Sequence, residues 1–101
     1  MAKSNTFNQL QRIKEDLNKI TQSYEDLIAD IMNYKAIPSS PDNVRRFKEL
    51  HQELSVLQVK MEMIGEGSTF NERVERAKIS GKIDEYLAYI NSHIRIYNFY
   101  L

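Results

Sequence analysis

The sequence contains no cysteine and no tryptophan, and only three glycines and two prolines among its 101 residues. Without thiols there is no disulfide framework, no thiolate metal site and no cysteine nucleophile, a usage that fits a reducing compartment. No continuous apolar stretch is long enough to cross a membrane. The N-terminal MAKSNTFNQLQRIKEDLNKI carries one early lysine but no apolar core of a signal peptide. Cytoplasmic residence without membrane association is therefore expected. Nor does one sign of charge dominate, since 14 Lys and Arg face 14 Asp and Glu, which removes the simplest basis for a nucleic-acid or membrane-surface binder. The balance is also local: basic and acidic side chains number five and five over residues 1–40, four and four over 41–64, and five and five over 65–101.

What is present is the composition of an ordinary globular chain, 42% hydrophobic and 28% charged. Its length suits one small domain, residues 1–101, with a single modest core. In the first third, Leu10, Ile13, Leu17, Ile20, Tyr24, Leu27, Ile31 and Tyr34 recur at alternating steps of three and four. That is a heptad seam, which a helix presents by packing along a partner. Thr6 and Gln9 have capping-box spacing, so the first helix is expected over about 6–35. Pro38 and Pro41 must interrupt it, because neither can continue a helical ladder. Pro41 instead suits the first position of a second helix, with Ser40 as its cap.

The second helix is expected over about 41–64. Its seam is Val44, Phe47, Leu50, Leu54, Leu57, Met61 and Ile64, and Gly65 suits the left-handed residue that follows a helix. So short a connection forces an antiparallel hairpin. Thr69 and Glu72 repeat the capping-box spacing at the start of a third helix, about 69–100. Within it, Phe70, Val74 and Ala77 are out of phase with Ile83, Leu87, Ile90, Ile94, Tyr97 and Leu101. The mismatch, together with Gly81, predicts a kink or break near 79–82. The expected fold is thus all-α: an elongated antiparallel helical hairpin plus a third, kinked helix, amounting to a three- to four-helix bundle with coiled-coil-like heptad packing. The size and central hairpin are similar to those of the small helical substrates of type VII secretion. The Trp-x-Gly turn of that family is missing, however, because the turns here read Pro-Ser-Ser-Pro and Gly-Glu-Gly.

Chemistry is sparse. The two histidines, His51 and His93, lack the spacing that lets two imidazoles share a metal. His51 flanks the second seam as a structural residue would. Gly65-Glu66-Gly67-Ser68 lacks the Lys-Ser/Thr ending of a phosphate loop. Glu49 and Glu53 lie four apart on a helix face, without a pocket that would make them an acid-base pair. Pairs such as Glu15 with Lys19, Arg45 with Glu49 and Glu72 with Arg76 have the spacing of solvated helix faces and contribute about 0.2–0.5 kcal/mol each. The sequence accordingly points away from an enzyme and implies no cofactor or metal.

Three features could bear function. Arg73, Ala77, Gly81, Leu87 and Ile90 have helix-turn-helix spacing, but Ser80 and Lys82 stand where such motifs are apolar, and Asp84 and Glu85 would meet phosphates with like charge. Lys35, Arg45, Arg46 and Lys48 gather at the hairpin tip, offset there by Asp42, as a possible contact for an anionic partner. Two arginines near a helix N-terminus oppose the dipole and are not placed there for helix stability. Finally, Ile94, Ile96, Tyr97, Phe99, Tyr100 and Leu101 crowd the C-terminus with apolar groups that one intramolecular face cannot bury. Five of the ten aromatic residues fall in the last 16 positions. Tyr-rich, Lys-poor surface is typical of protein interfaces. The leading expectation is a non-catalytic protein-interaction module, such as an adaptor, chaperone, assembly factor or small inhibitor. It would act through a helix face and the aromatic C-terminus, bind another protein and form a homo-oligomer. The alternative is a dimeric nucleic-acid-binding regulator using residues 73–90 or the basic tip.

Overall fold

The computed structural model describes residues 5–33, 41–65 and 69–99, and among them every regular element is helical. Three helices follow one another: α1 over Asn5–Met32, α2 over Pro41–Ile64 and α3 over Phe70–Phe99. The body they form measures 53 × 22 × 16 Å, elongated as the long seams require. Among the described residues no helix is long and apolar enough to cross a membrane.

α1 begins one residue before Thr6, so Thr6 lies within its first turn and does not cap it. Its far end closes with the Asn33 amide donating to the Ala29 carbonyl at 2.9 Å. The remainder of the expected first helix, including Tyr34 and Lys35, and the cap at Ser40 lie outside the described residues. α2 starts at Pro41, and Gly65 follows it at φ 85°, the left-handed conformation expected there. At the start of α3 the capping box is reciprocal: the Thr69 amide donates to Glu72 Oε1 at 3.2 Å, and the Glu72 amide donates to Thr69 Oγ1 at 3.1 Å.

The seams of α1 and α2 form the core. Leu10, Ile13, Leu17, Ile20 and Leu27 of α1 are buried against Phe47, Leu50, Leu54, Leu57 and Met61 of α2, with Ile79, Ile83 and Ile90 supplied by α3. Paired residues set the helix directions. Ile13 shares a hollow with Ile64, Ile20 with Leu57 and Leu27 with Leu50, so α1 and α2 are antiparallel. Gln58 donates to Asp84 and Arg76 to the Met61 carbonyl, so α3 is antiparallel to α2. Lys14 pairs with Glu75 at 3.1 Å and Tyr86 donates to Glu25, which makes α3 parallel to α1.

Of the kink or break expected near 79–82, the break is absent: α3 runs as one helical element through Gly81. The reason lies in which residues face inward. Ile79 and Ile83 are both buried, one turn apart across Gly81, and the glycine itself is exposed with open space around it. Upstream, the inward line continues through polar groups, half-buried Arg76 and buried Glu72, whereas Phe70 is 75% exposed and Ala77 is exposed. The apparent phase shift comes from Phe70 and Ala77, apolar residues that stand outside the core. Arg76 earns its inward position by donating from Nη2 to the Met61 carbonyl at 3.3 Å, one of the last-turn carbonyls of α2 that lack a helical partner.

Candidate interaction surface

One end of the bundle is aromatic. Tyr24 occupies a seam position of α1, Phe47 is fully buried in the second turn of α2, and Tyr86, Tyr89 and His93 share one side of α3 at steps of three and four. Phe47 and His93 stack with centroids 4.8 Å apart at 12°, while Tyr24 meets Tyr86 edge-on at 5.5 Å and Phe47 edge-on at 6.3 Å. Edge-on and offset contacts of this kind suit the aromatic quadrupole. Tyr24 Oη lies 2.9 Å from His93 Nε2, hydrogen-bonded in a sense set by the imidazole tautomer.

The polar groups of this cluster are tuned accordingly. Burial holds the His93 imidazole below its ordinary pKa. Burial, then the hydrogen bond to Glu25 and the charges of Glu25 and Glu85, raise the Tyr86 phenol. At Tyr89 the chief cause of the rise is the hydrogen bond it donates to Glu85, 2.7 Å long. Neutral imidazole and neutral phenols therefore prevail near pH 7. No sequence motif pointed to this grouping. The signal available was Tyr86, Tyr89 and His93 at helical spacing, which names one face but not Tyr24 or Phe47 across from it.

The residues expected to form the C-terminal surface are placed differently from one another. Ile94 is half-buried and packs against the core, whereas Ile96, two residues on, points away and is 54% exposed. The side chains of Tyr97 and Phe99, and the whole of Tyr100 and Leu101, lie outside the described residues. At the hairpin tip, Arg45 lies 3.6 Å from Asp42 and 3.8 Å from Glu49, so its charge is shared with two carboxylates. Arg46 turns toward α1, lining a hollow with Ser23, Leu27, Glu49, Leu50 and Glu53. Lys48 is exposed, and Lys35 lies outside the described residues. The helix-turn-helix spacing at 73–90 falls on a continuous helix with no turn at Gly81.

A further open feature is the face of α1 and α2 lined by residues of those two helices. Three hollows follow one another along it: the first between Gln9, Arg12, Ile13 and Asp16 of α1 and Lys60, Met63 and Ile64 of α2. The second shares Asp16 and Lys60 with the first and adds Lys19, Ile20, Ser23, Glu53, Val56 and Leu57. The third shares Ser23 and Glu53 with the second. Val56 and Met63, 47% and 81% exposed, stand on its α2 side.

Among the described residues no cluster of three His, Asp or Glu side chains could hold a metal ion. No protein-family model, characterised protein or solved structure matches the chain.

Proposed function

We propose that this chain is a non-catalytic protein-interaction module, of the kind that serves as an adaptor, a chaperone or assembly factor, or a small inhibitor. It works in the cytoplasm and binds another protein through a helix face together with the C-terminal residues Ile94, Ile96, Tyr97, Phe99, Tyr100 and Leu101, its long heptad seams packing in coiled-coil fashion. The observation that carries the reading is the exposure of Ile96 beside half-buried Ile94 in the last turns of α3. An apolar side chain is left at the surface there, immediately before the aromatic end of the sequence. The tyrosines that follow it in sequence, Tyr97 and Tyr100, are of a residue type enriched in binding hot spots. A nucleic-acid-binding role draws less support, because Arg45 is engaged by Asp42 and Glu49 and residues 73–90 form a single helix.

The test is capture from extracts of the source cell with the full chain and with a chain lacking residues 96–101, quantified by mass spectrometry. Specific partners should be depleted from the truncated bait while its helical circular dichroism persists. Equal capture by the two baits would remove the C-terminus from the mechanism.

A further inference from the structure

We infer that Tyr86 and Tyr89 of α3, flanked by the carboxylates of Glu25 and Glu85, receive an arginine side chain of the partner protein. Two tyrosine–glutamate pairs build the site. Tyr86 donates across to Glu25 Oε1 of α1 at 3.2 Å, and Tyr89 donates to Glu85 Oε1 within α3 at 2.7 Å. The two rings meet edge-on with centroids 5.5 Å apart, so both carboxylates belong to one surface. Tyr86 is half-buried, Tyr89 is 44% exposed, and Glu25 and Glu85 are exposed. Tyr24, bonded to His93, packs against both rings, edge-on to Tyr86 at 5.5 Å and nearly parallel to Tyr89 at 6.4 Å.

The surface is complementary to a cation. Within one helical turn of Glu25, Tyr86 and Tyr89, the charged side chains are Glu25 and Asp26 on α1 and Lys82, Asp84 and Glu85 on α3. Four acidic groups thus face one basic group, a net −3 on a chain that is neutral as a whole. Asp26 accepts from Gln22 and Asp84 from Gln58 of α2, which leaves Glu25 and Glu85 at the rings. The ion pairs among the described residues join Lys14 to Glu75 and Arg45 to Asp42 and Glu49, and neither Glu25 nor Glu85 takes part in one. The rings act in the same sense as the carboxylates. An aromatic face attracts a cation, and a phenol that donates to a carboxylate is polarised toward greater electron density.

Arginine meets these groups better than lysine does. Its planar guanidinium stacks on a ring while its N–H fork reaches a carboxylate at the ring edge, and it is more weakly hydrated than an ammonium group. The described residues hold no third carboxylate or imidazole here that would make a metal site. Ile96, 54% exposed, stands seven residues beyond Tyr89 and hence on the same side of α3. The arginine site and this apolar side chain therefore form one strip, charged at one end and apolar at the other.

The inference names the chemistry of the partner and rests on the interaction-module reading, but its test uses the purified chain alone, so the two can fail separately. Capped Gly-Arg-Gly, Gly-Lys-Gly and Gly-citrulline-Gly peptides are titrated in low-salt buffer and followed by NMR of the tyrosine rings and backbone amides. The arginine peptide should shift Tyr86, Tyr89, Glu25 and Glu85 saturably, with a dissociation constant on the order of 1–10 mM. It should bind at least about threefold more tightly than the lysine peptide, and the uncharged citrulline peptide should not bind. Tyr89→Leu, which keeps an apolar side chain at a half-exposed position, should raise the dissociation constant about fivefold. Glu25→Gln with Glu85→Gln should do the same, and circular dichroism should match the parent in both variants. An arginine peptide that shifts nothing at about 20 mM, or shifts residues away from Tyr86 and Tyr89, overturns the inference. So does equal affinity for the lysine peptide, or an affinity that either variant leaves unchanged. Partners lost on deleting 96–101 would keep the interaction-module reading alive in those cases.

Discussion

Tyr24 and His93, 69 residues apart in sequence, are joined by a hydrogen bond of 2.9 Å between the phenol oxygen and Nε2 of the imidazole. The bond ties the C-terminal half of α1 to the last turns of α3, and Phe47, stacked on His93, brings α2 to the same point. Burial there favours the uncharged imidazole, so the contact is a titrating one.

Stability should consequently fall with acidification in a way that His93 accounts for. The folded state holds this imidazole below the ordinary value of 6.5, whereas the unfolded chain titrates near that value. As pH drops below 6.5 the unfolded chain takes up a proton that the folded chain resists, so unfolding becomes more favourable, until the folded pKa is passed and the difference saturates. Melting temperatures measured from pH 7.5 down to about pH 5 should decline for the parent and decline less for His93→Gln. Parallel curves would show that His93 does not set the acid limb.

Phe47 should be the most costly single truncation near this end. Its side chain is fully buried, stacks on His93 and meets Tyr24 edge-on, so Phe47→Ala loses a large apolar contact and opens a cavity among three helices. Large aromatic truncations in cores cost about 3–5 kcal/mol, a large part of the stability of a small domain. Chemical denaturation should place the variant at the edge of folding, whereas Phe70→Ala, at a residue 75% exposed, should shift the midpoint little.

The contrast between those two phenylalanines also marks where the sequence is legible. In α1 and α2 the steps of three and four between apolar residues name the core line from Leu10 to Leu27 and from Val44 to Met61, because apolar residues fill the seam positions there, with only Thr21 and Asn43 as buried polar groups beside them. In the first half of α3 they do not. Glu72 faces inward because its carboxylate closes a capping box, and Arg76 because it reaches the Met61 carbonyl in the last turn of α2. A search for hydrophobic period passes over both and settles on exposed Phe70 and Ala77, which is how a continuous helix reads as a broken one. The aromatic end and the open face depend on which side of the hairpin α3 chooses. That choice is made by tertiary pairs such as Lys14 with Glu75 and Tyr24 with His93, and local spacing carries no trace of it. Arg45 and Arg46, adjacent in sequence, diverge for the same reason: one folds back on its own helix and the other turns toward α1.

The cap of α3 should matter in proportion to the two bonds it makes. Thr69→Ala removes the oxygen that accepts from the Glu72 amide and leaves that donor without its cap partner, for which losses of about 1 kcal/mol are typical. Thr69→Ser and Thr69→Asp retain an acceptor at the same place and should stay within a few tenths of a kcal/mol of the parent. Urea denaturation of the three variants would separate loss of the cap from loss of the Thr methyl group, since only Ala lacks the oxygen.

Two glycines should respond to the same substitution with opposite sign. Gly65 has φ 85°, and nothing lies within 4 Å of the position a Cβ would occupy; the obstacle to a side chain is therefore the backbone conformation alone. Gly65→Ala should cost about 1–2 kcal/mol, the strain of a left-handed L-residue, or else unwind the end of α2 to escape it. Gly81 also has open space around it but sits in the interior of α3 at an exposed position with no positive φ. There alanine restricts the unfolded chain and improves helix propensity, so Gly81→Ala should stabilise by about 0.4–1 kcal/mol. Equilibrium unfolding of the two variants beside the parent tests both at once. A destabilised Gly81→Ala would show that the unbroken course of α3 through this residue depends on glycine.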